Sequence, residues 1–173
     1  DAVACSCYFE SHILRIIRKI HKPPENVTLE DLLCYNMMGG ASVCMVSAAA
    51  LNRINGFDES LKSAQDWDLW IRLKQAGRII CCKELLVYYD AHLGLRITRD
   101  MNALYSGLRH FYFKHRHLMN RKARQINLAN LCYVRSRMNS GSMIERVTNL
   151  RRAVHYATPG ITKISFIISS LPR

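Results

Sequence analysis

The sequence lacks the features of a secreted or membrane-spanning chain. Within its 173 residues no apolar run approaches the roughly 20 residues that a membrane-spanning helix needs. No N-terminal stretch combines a basic start, an apolar core and a small-residue cleavage site. We therefore expect the visible chain to be neither secreted nor membrane-spanning, and to be cytoplasmic.

Disulfide and zinc patterns are absent as well. The seven cysteines are odd in number and scattered, and none of their spacings repeats a paired Cys-x-x-Cys motif. A reducing compartment is therefore the expected environment. Internal repeats and low-complexity segments are also missing, whereas 49% of the residues are hydrophobic, which is enough for one substantial core. These features predict a globular fold.

Acidic residues are scarce in the last part of the chain. Residues 1–100 hold 12 Lys/Arg and 12 Asp/Glu, while residues 101–173 hold 13 Lys/Arg and a single acidic residue, so the whole excess of +12 lies there. Such a block predicts a surface for polyanions, either nucleic acid or the anionic face of a membrane. A solvated helical face is the plainer alternative. The charge shift suggests a domain boundary near residue 100.

The hydrophobic pattern alternates with period two in some segments and with helical spacing in others. It predicts strands over residues 2–10, 13–20, 41–47, 78–82 and 84–89, and helices after Thr28, over 48–54, over 64–76 and from Met101 onward. The first two strands are predicted to pair as a hairpin. The first of them starts almost at Asp1, so we expect the chain to be a fragment of a longer protein. The order predicts an α/β fold with a mixed sheet, followed by a helical C-terminal extension.

Asp66 stands near the start of one predicted helix. Ser63 and Asp66 have the spacing of a capping box, so the structural interpretation is a carboxylate stabilised by free backbone N–H groups and the helix dipole. On a helical projection, however, Asp66 falls between Trp70 and Leu73, inside the apolar arc. An ionised carboxylate there is costly unless it is hydrogen-bonded or lines a cavity. This position predicts Asp66 at the lip of a pocket.

Two other charged residues of the same helix fall together on its opposite side. Asp68 and Arg72 are four residues apart, so they can form an ion pair along the helix. We expect this pair to be structural, and to contribute only tenths of a kcal/mol if it is exposed.

Three short motifs occur in order along this region: Gly39-Gly40-Ala41-Ser42, Gly56-Phe57-Asp58-Glu59 and Gln65-Asp66-Trp67-Asp68-Leu69-Trp70. They resemble the second half of the catalytic domain of family-2 glycosyltransferases. In that family a Gly-Phe-Asp-Glu turn precedes an acidic pair and a helix of the form Asp-x-Asp-Leu-x-x-Arg. The resemblance covers roughly residues 36 to 100 and implies a partial GT-A (nucleotide-diphospho-sugar transferase) fold.

The resemblance implies a reaction and a role for Asp66. Asp66 matches the second member of the acidic pair, which in the family takes the proton from the acceptor hydroxyl. The first member is usually glutamate, and here it is Gln65. The implied reaction is an in-line displacement with inversion at the anomeric carbon of a nucleotide-sugar. The acceptor would be a saccharide or lipid-linked, and a divalent metal (Mg or Mn) would neutralise the leaving diphosphate.

Further residues receive expected roles from the same resemblance. Trp67 is the candidate for stacking on an acceptor sugar, whereas Trp70 is expected in the core. Gly39, Gly40 and Ser42 either let an acceptor approach the backbone closely or merely end a loop.

Two residues are candidates on the donor side. His92 resembles a histidine that relatives place after the last strand as a metal or phosphate contact, and its alternative is a solvated strand-end residue. Arg96 is expected to neutralise the donor diphosphate, with an ordinary surface arginine as its alternative.

The Asp-x-Asp motif that holds metal and nucleotide in this family should lie upstream, and it does not occur here. Asp66-Trp67-Asp68 has the sequence Asp-x-Asp but belongs to the acceptor-side helix. We therefore expect the donor half and most metal ligands to be missing, and the isolated chain to bind nucleotide-sugar weakly or not at all.

The sequence thus predicts two parts: residues 1–100 as the acceptor-side half of a catalytic domain, and residues 101–173 as a basic helical tail. The tail is expected to rest on an anionic membrane surface at the inner face of the cell membrane, as a peripheral contact. Two alternatives stay open. One is a non-enzymatic basic module that binds nucleic acid or membrane, with nucleic acid the less favoured partner. The other is a truncated, catalytically silent relative.

Overall fold

A computed structural model describes residues 2–11, 16–21, 23–90, 100–138 and 141–157. For residues 2–21, 85 and 88–90 only the backbone is described. The chain divides into two compact units: a sheet unit of residues 1–59 and 65–94, and a helical unit of residues 60–64 and 95–173.

The sheet unit contains a four-stranded mixed sheet centred on its first strand. Its strands are β1 (Ala2–Ser11), β2 (Ile16–His21), β3 (Cys44–Val46) and β4 (Ile79–Asp90). β4 runs parallel to β1 along almost its whole length, while β2 and β3 are antiparallel to it. Because a strand has only two hydrogen-bonding edges, β2 and β3 must share the edge opposite β4. The predicted first two strands are confirmed, with residues 13–15 outside the described residues.

Two predictions for this sheet are wrong. The strands expected over 78–82 and 84–89 are one continuous strand, because Cys5 pairs with Cys82 and Ser6 with Leu85. Lys83 and Glu84 form a bulge between these pairs, so the charged residues that break the apolar pattern do not end the strand. The strand expected over 41–47 begins as a 3-10 turn, and only Cys44–Val46 is extended.

Three helices belong to the sheet unit: α1 (Leu29–Cys34), α2 (Ala48–Arg53) and α3 (Gln65–Ala76). α1 begins with the predicted capping box, in which the Asp31 N–H donates to Thr28 Oγ1 over 3.1 Å and the Thr28 N–H donates back to the Asp31 carboxylate. α2 ends as predicted, because Asn55 and Gly56 take the left-handed conformation with φ of 59° and 65°.

α3 is buried on nearly every side and packs against α1 and α2. The indole N–H of Trp70 donates to the Gly39 carbonyl over 3.1 Å, and that of Trp67 donates to the Leu32 carbonyl. Trp70 is 1% exposed, which confirms its predicted place in the core. The indole hydrogen bonds connect α3 to α1 and to the loop that follows α1. The buried residues of α3 are Trp67, Asp68, Leu69, Trp70, Ile71 and Leu73.

The helical unit contains α4 (Met101–His115), α5 (Arg121–Arg137) and α6 (Met143–Tyr156), and α5 packs against both of the others. Helices from Met101 onward are therefore confirmed. Each begins with a side-chain cap, from Asp100, Asn120 and Ser142 respectively. In the part of the chain that the structure describes, every helix is too short or too polar to cross a lipid bilayer.

Gly107 lets residues 60–64 approach α4 closely. A Cβ atom at this position would lie 2.5 Å from the backbone nitrogen of Ser63 and 2.6 Å from its carbonyl oxygen. Within a helix, Gly→Ala ordinarily stabilises by about 1 kcal/mol. Here the added methyl group would clash with the backbone of Ser63, which cannot move aside easily. We therefore expect Gly107→Ala to destabilise the protein and to lower the free energy of unfolding by about 1–3 kcal/mol.

Urea unfolding of the two proteins measures this change. Ser106→Ala, at the exposed neighbouring position of α4, is the control and should change stability by less than about 0.5 kcal/mol. A Gly107→Ala protein as stable as the wild type would show that the approach of Ser63 is not required.

Candidate active site

Asp66 is the second residue of α3, and its carboxylate is held by three hydrogen bonds. Its Oδ1 accepts the backbone N–H of Trp67 over 2.7 Å, its own backbone N–H also donates to the carboxylate, and the Asn36 side chain donates a third. The predicted stabilisation of Asp66 by free N–H groups at a helix start is thus confirmed. Burial nevertheless raises the pKa of Asp66 above its usual value, and the three hydrogen bonds oppose that rise.

The predicted capping box around Asp66 is wrong. α3 begins at Gln65, so the position that precedes the helix is Ala64 rather than Ser63. The Ser63 hydroxyl instead donates to the Leu104 carbonyl over 3.3 Å within the helical unit. A shift of one residue in the helix start is enough to remove the reciprocal pairing.

The glycine motif lies beside Asp66. A Cβ atom on Gly40 would lie 3.9 Å from Asp66 Oδ2 and 3.9 Å from Ser42 Oγ. Gly39 has φ of 79°, a left-handed conformation that suits glycine, and its carbonyl accepts the Trp70 indole N–H. The structure therefore brings Gly40 next to the Asp66 carboxylate, while Ser42 lies close to Gly40 and Gly39 is bonded to Trp70 of the same helix. Gly40 and Ser42 are exposed to solvent.

Asn36 completes this group and was missed in the sequence, where it was only the first residue of a predicted loop. Its side chain donates to the Asp66 carboxylate, while its Oδ1 is buried and has no hydrogen-bond partner in the structure. A buried carbonyl oxygen without a partner is costly, so a hydroxyl or amide donor would be favoured there. Asn36 and Asp66 are 30 residues apart in the sequence, so no local pattern indicates their contact.

Trp67 does not present a face to an acceptor. Its side chain is 4% exposed and its indole N–H is bonded to the Leu32 carbonyl, so it belongs to the core between α1 and α3. This corrects the prediction that Trp67 stacks on a sugar. An aromatic residue can stack on a ligand only if one face of its ring is accessible.

The two aspartates of α3 differ in what surrounds them. Arg72 Nε lies 2.7 Å from Asp68 Oδ2, which confirms the predicted pair, and Arg72 Nη1 donates to the Ile54 carbonyl over 2.7 Å. The pair is not an exposed one, because Asp68 is 0% exposed. Asp68 is therefore held by an ion pair in the interior. Asp66, which is only partly buried, is the aspartate of α3 that a substrate can reach.

Two cavities of the sheet unit lie away from Asp66. A shallow depression of about 330 Å³ lies elsewhere in the sheet unit, and a second, smaller cavity also does not include Asp66. The Asp66 carboxylate lies near the exposed backbone at Gly40, and its place at the lip of a pocket stays a prediction. The depression is lined by Ile54, Asn55, Arg72, Gln75 and Ala76.

The donor-side predictions lie outside this group. His92 and Arg96 fall outside the described residues, so their roles stay predictions. Among the described residues no three His, Cys, Asp or Glu side chains come close enough to hold a metal ion. The Mg or Mn ion with upstream ligands stays a prediction.

In comparisons with protein-family models, with curated proteins and with solved structures, nothing matches this chain. The resemblance to family-2 glycosyltransferases therefore rests on the three motifs, and the GT-A fold stays a prediction.

Proposed function

We propose that this chain forms the acceptor side of an inverting glycosyltransferase in which Asp66 is the general base. The observation that carries the proposal is the partly buried Asp66, whose carboxylate has a raised pKa and lies beside the exposed backbone of Gly40. Perturbed carboxylates at accessible positions are typical of catalytic acids and bases. The order of the three motifs gives the reaction class.

In the proposed reaction, an acceptor hydroxyl attacks the anomeric carbon of a nucleotide-sugar. The bond between the hydroxyl oxygen and the anomeric carbon forms while the bond from that carbon to the diphosphate oxygen breaks. The nucleoside diphosphate leaves with the bonding electron pair, and the hydroxyl proton moves to the Asp66 carboxylate. A raised pKa makes that carboxylate a better proton acceptor than an exposed aspartate, because proton transfer is most efficient when the pKa approaches the working pH.

The surroundings of Asp66 suit a hydroxyl-rich acceptor. Gly40 has no side chain to block approach to the backbone, and the hydroxyl of Ser42, which also lies close to Gly40, offers a donor and an acceptor. A saccharide or a lipid-linked saccharide therefore fits the chemistry of these groups.

The test uses the full encoded polypeptide, a panel of nucleotide-sugars and saccharide or polyprenyl-phosphate-linked acceptors, with and without Mg or Mn. Acceptor-dependent release of nucleoside diphosphate that is lost in Asp66→Asn supports the proposal. Unchanged turnover in that variant excludes Asp66 as the base. No release by the wild-type protein with any donor favours the catalytically silent alternative.

Asn36 is predicted to tune the base. Its hydrogen bond to the ionised carboxylate lowers the pKa of Asp66, so removing it in Asn36→Ala should raise that pKa further. The acid limb of the pH profile of kcat/KM should then move to higher pH, because a higher pH is needed to ionise the base.

The pH dependence of acceptor-dependent turnover measures this shift. Asn52→Ala removes an exposed asparagine of α2 and should leave the acid limb where it is. If Asn36→Ala changes stability but not the position of the limb, Asn36 is a structural residue only.

A further inference from the structure

α6 carries an exposed apolar strip. Five of its aliphatic or thioether side chains face solvent along one side, although a helix in a soluble protein usually buries such a face. These side chains, the α6 strip, are Met143 (79% exposed), Ile144 (78%), Val147 (44%), Leu150 (48%) and Val154 (64%).

The strip faces outward because another side of α6 is anchored. Ala153 is 2% exposed on the side that packs against α5, and Arg146 Nε donates to the Ser136 carbonyl over 3.1 Å. A capping box between Ser142 and Glu145 fixes the start of the helix. α6 is therefore held in one orientation, with the strip turned away from the described part of the helical unit.

Basic side chains border the strip. On a helix of 100° per residue, Arg146 lies on one side of the line through Val147 and Leu150, and Arg151 lies on the other. Glu145 is the single acidic residue among positions 101–173, and it lies on the far side of α6 with its carboxylate bonded in the cap. The partner should therefore be apolar in its middle and negatively charged at its borders.

We propose that α6 binds in the plane of an anionic lipid membrane, with the α6 strip at the acyl boundary and Arg146 and Arg151 at the head groups. An apolar strip with basic borders is the pattern of interfacial amphipathic helices. Nucleic acid fits less well, because it would leave aliphatic side chains in water and is bound through phosphate contacts and aromatic stacking. This inference does not depend on the proposed enzyme activity.

Sedimentation of the full encoded polypeptide with lipid vesicles tests the proposal. One set of vesicles is phosphatidylcholine alone, and the other is an equal mixture of phosphatidylcholine and phosphatidylglycerol. We expect binding to the anionic vesicles only, weakened by added salt. The double variant Val147→Glu/Leu150→Glu should lose at least about tenfold in affinity, because two carboxylates at the strip cannot enter the acyl boundary.

A matched control distinguishes the loss of the apolar strip from the effect of adding negative charge to α6. Thr148 and His155 are exposed beside Ile144 at the border of the strip, so Thr148→Glu/His155→Glu adds the same two carboxylates away from its centre at Val147 and Leu150. This control should lose clearly less affinity than the strip variant. Arg151→Gln should weaken binding by about fivefold, the usual effect of one basic residue near an anionic surface.

Three outcomes would overturn the proposal. The first is equal loss in the two double variants, since charge alone would then explain binding. The second is wild-type protein that binds a single-stranded RNA probe but neither kind of vesicle. The third is a wild-type protein that is a dimer in sedimentation equilibrium and binds no vesicles, while the Val147→Glu/Leu150→Glu variant is a monomer. Circular dichroism of each variant verifies that α6 is still folded.

Discussion

Asp66→Asn is expected to remove activity while making the fold more stable. The amide cannot accept the acceptor proton, so acceptor-dependent turnover should fall by about 10²–10⁴-fold, the usual contribution of a general base. The stability gain has a separate origin. Burial raises the pKa of the Asp66 carboxyl, which means that its ionised form is the unfavourable one in the folded protein.

The direction of the pH dependence follows from that raised pKa. Between the ordinary aspartate value of 3.8 and the raised folded value, the folded state holds the proton more tightly than the unfolded state. The contribution of Asp66 to stability is thus fully present below the ordinary value and is lost as pH rises through the folded value. Asp66→Asn should abolish this dependence.

The new amide can also keep the hydrogen bonds at this position. Its oxygen can accept the Trp67 N–H, and if the Asn36 amide rotates by half a turn, the new NH₂ group can donate to Asn36 Oδ1. At neutral pH we therefore expect the free energy of unfolding to rise by about 0.5–2 kcal/mol, the common range for a stabilising substitution.

Urea unfolding at neutral and acidic pH, together with nucleoside diphosphate release, measures both effects. Glu59→Gln is the matched control, because it converts an exposed carboxylate to an amide and should change neither turnover nor stability appreciably. A loss of stability in Asp66→Asn, with turnover unchanged, would mean that Asp66 serves only as part of the helix start.

The helix that carries Asp66 could be predicted well, because a period of 3.6 residues and Gly77, which directly follows the helix, are local signals. The burial of Asp68 could not be predicted. A helical projection assumes that one side of the helix is apolar, whereas α3 is covered on several sides by α1 and α2. The partner of Arg72 at Ile54 lies 18 residues away, and no sequence period indicates that contact.

Contacts between distant segments also explain the other differences. Trp67 was predicted to meet a sugar, but α1 supplies the Leu32 carbonyl that takes its indole N–H. The approach of Asn36 to Asp66 depends on how the loop after α1 folds over α3. The resemblance indicated Gly40 by its order in the chain, and only the structure shows that it lies next to the Asp66 carboxylate.

Breaking the buried pair of α3 should have the largest effect on stability. Asp68 is 0% exposed and lies 2.7 Å from Arg72, whose Nη2 is also buried and has no hydrogen-bond partner in the structure. Asp68→Ala would leave the guanidinium without its counter-charge in the interior. We expect a loss of about 3–5 kcal/mol in the free energy of unfolding, the usual cost of an uncompensated buried charge.

Two further variants show whether the pair or the space it fills matters. Lys83→Ala breaks an exposed ion pair with Glu25 and should cost less than about 1 kcal/mol, because solvent screens it. The double variant Asp68→Leu/Arg72→Met removes both charges and fills the space with apolar groups, so it should recover most of the stability lost in Asp68→Ala. Recovery would assign the loss to the unpaired charge. The double variant could instead be as unstable as Asp68→Ala. The loss would then be assigned to the hydrogen bond from Arg72 to the Ile54 carbonyl, which joins α3 to the end of α2 and so fixes the position of Asp66.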